Sequence, residues 1–268
     1  MLTAYFDEGE DDKVFLIGGW LADDAVWETF SLAWTAQLKA APSVEYFKNN
    51  DAMGLKNQFA DWTEDSRDAK LFGLAEIIAN HELVGLVGGV GLAQFKAMFA
   101  GSNVPLKQRR SIVKFTDPYH IACQCVLSVT LGYQIEKAKN LVDKVNFIFD
   151  DGVPFLADCV ANYPKMLKIM PQAAQAIAGT VHSKNDRQVP ALQAADLLVG
   201  QALLSLRTRS NSKAVDILKA RNVERFPCVA PPLGSIIKSM ERLNKVWAVK
   251  QREIAKRKGE RAAKFKTK

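Results

Sequence analysis

The chain has 268 residues, 48% of them hydrophobic, and a net charge of +7. That much apolar material supports a folded core and excludes a disordered chain. No apolar run reaches the ~20 residues of a membrane helix, so no membrane partner is expected; the longest, 83–95, is short and broken by glycines. The charge is uneven. Residues 234–268 hold twelve Lys or Arg against three Glu, whereas residues 1–233 hold 24 basic against 26 acidic residues. A basic tail on a slightly acidic body suits a polyanionic partner. The organisation expected is one α/β domain over 1–230 and a basic C-terminal helix and tail over 231–268.

In chain order, the first expected strand ends where Tyr5 and Phe6 give way to Asp7, Glu8 and Gly9. Aromatic residues form strands and Asp, Glu and Gly do not. The acids at 7, 8, 10, 11 and 12 fall where the apolar core of a secretory signal would lie, so a cytoplasmic protein is expected. A second strand over 14–21 follows a short polar hairpin loop. Asp23 or Asp24 then caps a helix to about Lys39, with Trp27, Phe30, Trp34 and Leu38 on one apolar face. Residues 40–63 show no period, and loops of that length inside a domain are often functional. Thr63 caps a helix over 64–80, and 83–95 reads as one long strand whose glycines mark a bend or close backbone contact.

Residues 104–114 form a basic connector with Lys107, Arg109 and Arg110. Asp117 and Pro118 then open a helix with Ile121, Cys125, Val129 and Gly132 as its inner stripe. The least ambiguous strand is 145–149, which runs into Asp150, Asp151 and Gly152 and so repeats the pattern of the opening. A helix over 154–163, a strand over 177–182 and a helix from Pro190 to about Arg207 complete the body. Beyond Pro231 and Pro232 a basic helix is expected, with Lys250, Arg252, Lys256, Arg257 and Lys258 towards its end. The four cysteines form no CxxC pair and no Cys/His cluster with zinc spacing, so buried reduced thiols are expected. No GxSxG motif supports a serine hydrolase.

The chemistry lies in acids from three places. Asp7 and Asp150 stand at strand tips, and Asp196 interrupts an otherwise apolar helix, where a lone carboxylate is costly to bury unless paired or metal-bound. Gln193, Asp196 and Gly200 lie three and four apart and share one stripe. Oxygen ligands of this kind suit Mg2+ or Mn2+, and two such ions would serve phosphodiester hydrolysis. Successive strand residues point to opposite faces. Only one of Asp7 and Glu8, and one of Asp150 and Asp151, is therefore expected to be a primary ligand, with Glu8 facing away or supporting.

The stretches Tyr5-Phe6-Asp7-Glu8, Glu45-Tyr46-Phe47-Lys48, Phe149-Asp150-Asp151 and Leu192-Gln193-Ala194-Ala195-Asp196-Leu197-Leu198 resemble, in this order, the domain-of-unknown-function family 3800. The resemblance spans about residues 2–205. It implies a ribonuclease H-like fold, a central mixed sheet flanked by helices, with Asp7, Asp150 and Asp196 as metal ligands. It implies Glu45, or else Asp51, as a fourth acid; Lys48, in the same stretch, either contacts a scissile phosphate or is a solvated loop lysine. The family's first motif reads Asp-Glu-Ser-Gly, whereas this chain has Gly9 after Glu8, which puts activity in doubt.

The expected function is a divalent-metal-dependent nuclease. Its basic connector and tail would hold a nucleic-acid backbone in a salt-dependent manner. The alternatives are a non-catalytic nucleic-acid-binding or interaction module on the same scaffold, associated with a phage or mobile element, and hydrolysis of another substrate such as a glycoside by paired carboxylates.

Overall fold

A computed structural model describes residues 1–100, 117–137, 143–152, 156–168, 170–222, 228–229 and 252. The connector carrying Lys107, Arg109 and Arg110, and the tail carrying Lys250, Lys256, Arg257 and Lys258, lie outside the described residues. So does the boundary expected near 230. Arg252 is an exposed helical residue.

The strands are β1 (Leu2–Glu10), β2 (Val14–Asp23), β3 (Val84–Gly91), β4 (Val145–Asp150), β5 (Ala178–Lys184) and the two-residue β6 (Cys228–Val229). They form one mixed sheet in the order β5-β4-β1-β2-β3-β6. β1, β2 and β3 make an antiparallel meander. β4 pairs with β1, and β5 with β4, in parallel. The helices are α1 (Asp24–Lys39), α2 (Asn49–Met53), α3 (Glu64–Asn80), α4 (Leu92–Ala100), α5 (Pro118–Lys137), α6 (Leu156–Leu167), α7 (Gln172–Ile177), α8 (Pro190–Thr208) and α9 (Lys213–Asn222). The fold is therefore α/β, a mixed sheet flanked by helices.

Alternation along the strands divides the core in two. On β2, Phe15, Ile17 and Leu21 join one cluster with Phe6, Phe147, Phe149 and the inner residues of α5 and α6. Leu16, Trp20 and Ala22 join the other, with residues of α1, α3 and α8. A strand covered on both faces carries a nearly continuous apolar run, as β2 does. On β3, a Cβ at Gly88 would lie 2.9 Å from the backbone nitrogen of Val126 and 3.1 Å from the carbonyl oxygen of Ala122. The glycine lets α5 rest directly on the strand.

Local signals account for the helix ends. Asp23 accepts a hydrogen bond from the Ala25 amide and Thr63 from the Ser66 amide, capping α1 and α3. Lys70 on α3 donates to the carbonyls of Gln37, Leu38 and Ala40, closing the C-terminal end of α1. The long strand expected over 83–95 ends at Gly91 and continues as α4, because a short apolar run fits either element. Residues 40–63 contain α2 and a 3-10 turn, Asn57–Phe59. α6 is described over Leu156–Leu167; its expected start at 154 lies outside the described residues. α9 was not anticipated. The inner stripe of α5 includes Ile121 and Cys125, but Gly132 is exposed. Cys123, Cys125 and Cys159 are buried and form no disulfide. No helix among the described residues is long and apolar enough to cross a membrane.

Candidate functional site

The C-terminal ends of the parallel strands β1 and β4 lie side by side at the centre of the sheet. From β1 the chain turns to β2 and β3 on one side, while β4 and β5 lie on the other. In open α/β sheets ligands bind at such a switch point. The last registered pair is Phe6 beside Phe149. One residue further sets Asp7 beside Asp150, on strands about 4.8 Å apart. Phe6 and Phe149 enter the α5-side core, so their successors turn to the opposite face, which α8 covers.

Three acids become four here. Asp7, Asp150 and Asp196 are 3%, 8% and 7% exposed. The fourth is Asp186, 8% exposed, in the 3-10 turn that follows β5. Its amide donates to Asp150 Oδ1 at 3.2 Å, and the Asp151 amide to the same oxygen at 2.9 Å. Asp186 was missed in the sequence. The available signal was that it too follows a strand.

Lys48 enters this group of acids. Its ammonium bonds Asp186 Oδ2 at 2.5 Å and stands 3.9 Å from Asp7 Oδ2. α8 fixes the backbone on either side of it. The Phe47 amide donates to Gln193 Oε1 at 3.0 Å, and the Asn49 amide to Asp196 Oδ2 at 2.6 Å. Gln193 Oε1 also accepts from Trp34 Nε1 at 2.9 Å, and its Nε2 donates to the Asp186 carbonyl at 3.0 Å. Two donors on one side and an acceptor on the other fix the amide's orientation. Gln201 donates to Asn49 Oδ1 at 3.0 Å. A Cβ at Gly200 would overlap the Asn49 side chain, so that glycine gives the segment room to seat on α8.

Four buried carboxyl groups share the pocket with one ammonium. Burial and then Asp196 push the Asp7 carboxyl well above its usual range. Burial and then Asp186 raise Asp150. Burial pushes Asp196 up to about 6, opposed by Lys48 and by the Asn49 amide. Glu8 is pushed up to about 7 by burial and then by Asp150. Burial depresses Lys48, but Asp196, Asp7 and Asp186 outweigh it and raise its pKa overall. Asp7 Oδ1 accepts from the Glu8 amide at 2.8 Å. Its other oxygen, Oδ2, is buried and accepts no hydrogen bond.

The pocket opens on a cleft of about 530 Å3 lined by Lys48, Asp51, Asp150, Asp151, Asp186 and Arg187, among others. Of the three secondary acids, Glu8, Asp51 and Asp151, the last two are thus on its wall. Glu45 is not brought there. It is exposed and lines a neighbouring cleft of about 450 Å3 together with Gln58 and Gln193. Between Glu45 and Lys48 the segment buries Phe47, so only Lys48 enters the acid group. Arg187 borders both clefts, its guanidinium 5.1 Å over the Tyr46 ring.

The donor set suits a hard cation: carboxylate oxygens, with one buried oxygen left without a hydrogen bond. As placed, no three His, Cys, Asp or Glu side chains among the described residues are grouped to hold a metal ion. Lys48 supplies the positive charge instead. No protein-family model and no curated protein matches the chain, so the family resemblance rests on the motifs alone.

Proposed function

We propose that the Asp7–Asp150–Asp186–Asp196 pocket is the active site of a divalent-metal-dependent enzyme that hydrolyses phosphodiester bonds in nucleic acid. The observation that carries this reading is the buried Asp7 Oδ2, which accepts no hydrogen bond in a pocket that gathers four buried carboxyl groups. Buried polar atoms are rarely left unpaired without a function. The strand order, an antiparallel β1-β2-β3 meander continued by parallel β4 and β5, supports the ribonuclease H-like reading and with it membership of family 3800. That Cys123, Cys125 and Cys159 form no disulfide supports a cytoplasmic setting.

Asp7, Asp150 and Asp196 would hold Mg2+ or Mn2+. When bound, the ion would supply an activated water and a counter-charge for the leaving oxygen. The protein's own groups do the rest. Gln193 and Asp196 hold the segment that carries Lys48, and Asp186 binds its ammonium. Lys48 and Arg187 face the cleft as donors for a phosphodiester. The basic connector and tail add charge attraction for the nucleic-acid backbone. The Lys48–Asp186 pair favours the second reading, a non-catalytic nucleic-acid-binding module whose lysine permanently neutralises the acids.

The test is cleavage of end-labelled single- and double-stranded DNA and RNA by the full chain with Mg2+ or Mn2+. Cleavage is expected to require the metal. It should fall at least about 100-fold in Asp7→Asn and in Asp150→Asn, the few kcal/mol that such charge stabilisation supplies. Equal rates in wild type and variants, or no cleavage of any substrate, would remove the catalytic reading.

A further inference from the structure

We propose that the Lys48 ammonium occupies the cation position of the carboxylate pocket, so that a divalent ion enters only as Lys48 swings out into the cleft. This deepens the reading above and rests on the pocket being a divalent-cation site.

Three observations carry it. First, Lys48 is held where a cation would sit, bonded to Asp186 Oδ2 and 3.9 Å from the otherwise unpartnered Asp7 Oδ2. Second, the backbone is clamped on both sides of Lys48 by Gln193 and Asp196, so the fold fixes the root of the side chain beside the acids. Third, with Lys48 in place the acids are not grouped as a metal-ligand set. Of the four acids, Asp186 and Asp7 are the ones that pair with the ammonium, at 2.5 Å and 3.9 Å.

The side chain can leave without moving its backbone. It is 30% exposed and borders the 530 Å3 cleft, and lysine has a flexible four-carbon stem. In the cleft its charge would still face a bound phosphodiester. One residue would thereby serve as the counter-ion of the metal-free pocket and as a substrate contact in the loaded one. Substrate phosphate drawing Lys48 outward and metal moving in behind it would assist each other, as linked binding requires.

The experiment is Mn2+ binding to the full chain, followed by calorimetry and by loss of the free-ion electron paramagnetic resonance signal. Lys48→Met is expected to bind Mn2+ at least about tenfold more tightly than wild type, and Lys48→Arg, which keeps a cation, to stay at the wild-type level. Lys48→Met leaves buried carboxylates without their counter-ion, so a second measurement uses the unaltered protein. Reductive methylation of Lys48, read by mass spectrometry, should be slow without metal and accelerate as Mn2+ saturates. Unchanged affinity in Lys48→Met, no Mn2+ binding by either protein, or Mn2+ binding with unchanged Lys48 methylation would each overturn the proposal. Tighter Mn2+ binding in Lys48→Met with no nucleic-acid cleavage would remove the nuclease reading and leave this inference standing.

Discussion

The two faces of the central sheet are built on different principles. The α5 side is a close-packed apolar layer of Phe6, Phe147, Phe149 and Tyr119, with Gly88 letting the helix rest on the strand. The α8 side also buries large aromatics, Trp20 and Trp34 among them, but a polar seam of Gln193, Asp196, Asn49 and Gln201 runs through it. Neighbouring residues enter the two sides: Phe6 and Asp7 on β1, Phe149 and Asp150 on β4. The comparison teaches a division of labour. One face holds the strands in place through burial, which is non-directional and tolerant of small shifts. The other fixes a short segment, and the backbone of Lys48 with it, by hydrogen bonds that allow little displacement.

The largest effect expected from breaking this division is on the apolar side. Phe147→Ala removes a fully buried ring and should cost about 3–5 kcal/mol in urea unfolding, with the pocket's contacts unaltered in the molecules that remain folded. Gln193→Leu has nearly the same size but leaves Trp34 Nε1, the Phe47 amide and the Asp186 carbonyl without their partner. A loss of roughly 2–4 kcal/mol is expected, together with release of the Lys48 segment, seen as faster amide exchange at Phe47 and Asn49. A protein that lost stability but kept slow exchange there would deny the seam its positioning role.

The smallest effect concerns pH. Glu8 is raised from an ordinary 4.5 to about 7. Between those values the folded protein keeps a proton that the unfolded chain has released, so stability falls as pH rises through the window. Asp196, raised to about 6, acts in the same direction. Glu8→Gln should flatten the decline and leave the variant more stable than wild type at about pH 8, by roughly 1–3 kcal/mol. The difference should shrink towards pH 4.5. Parallel stability curves for the two proteins would show that Glu8 does not hold the proton.

Much of the site was legible before the fold. Asp7 and Asp150 stood out because apolar strands ended in acids, and Asp196 because Leu, Ala and Val surrounded it. Their convergence follows from the parallel β1–β4 pairing, a long-range fact that no local pattern states. Asp186 escaped although the strand before it was expected, because β5 runs on to Lys184 and its exposed end shows no apolar run leading into an acid. Glu45 and Lys48 are neighbours in one motif, yet Phe47 goes into the core and only the lysine reaches the acids. Which of two polar neighbours turns inward is decided by Gln193 and Asp196, nearly 150 residues away. The end of β3 at Gly91 was hidden because the apolar residues of α4 continue the composition of the strand.

The central claim is that the oxygen of Asp7 left without a hydrogen bond awaits a cation. Its most direct test is Mn2+ affinity in Lys48→Met with and without Asp7→Asn added. The account predicts tight binding in the single variant and its loss in the double. Equal Mn2+ affinity in the two proteins would contradict it.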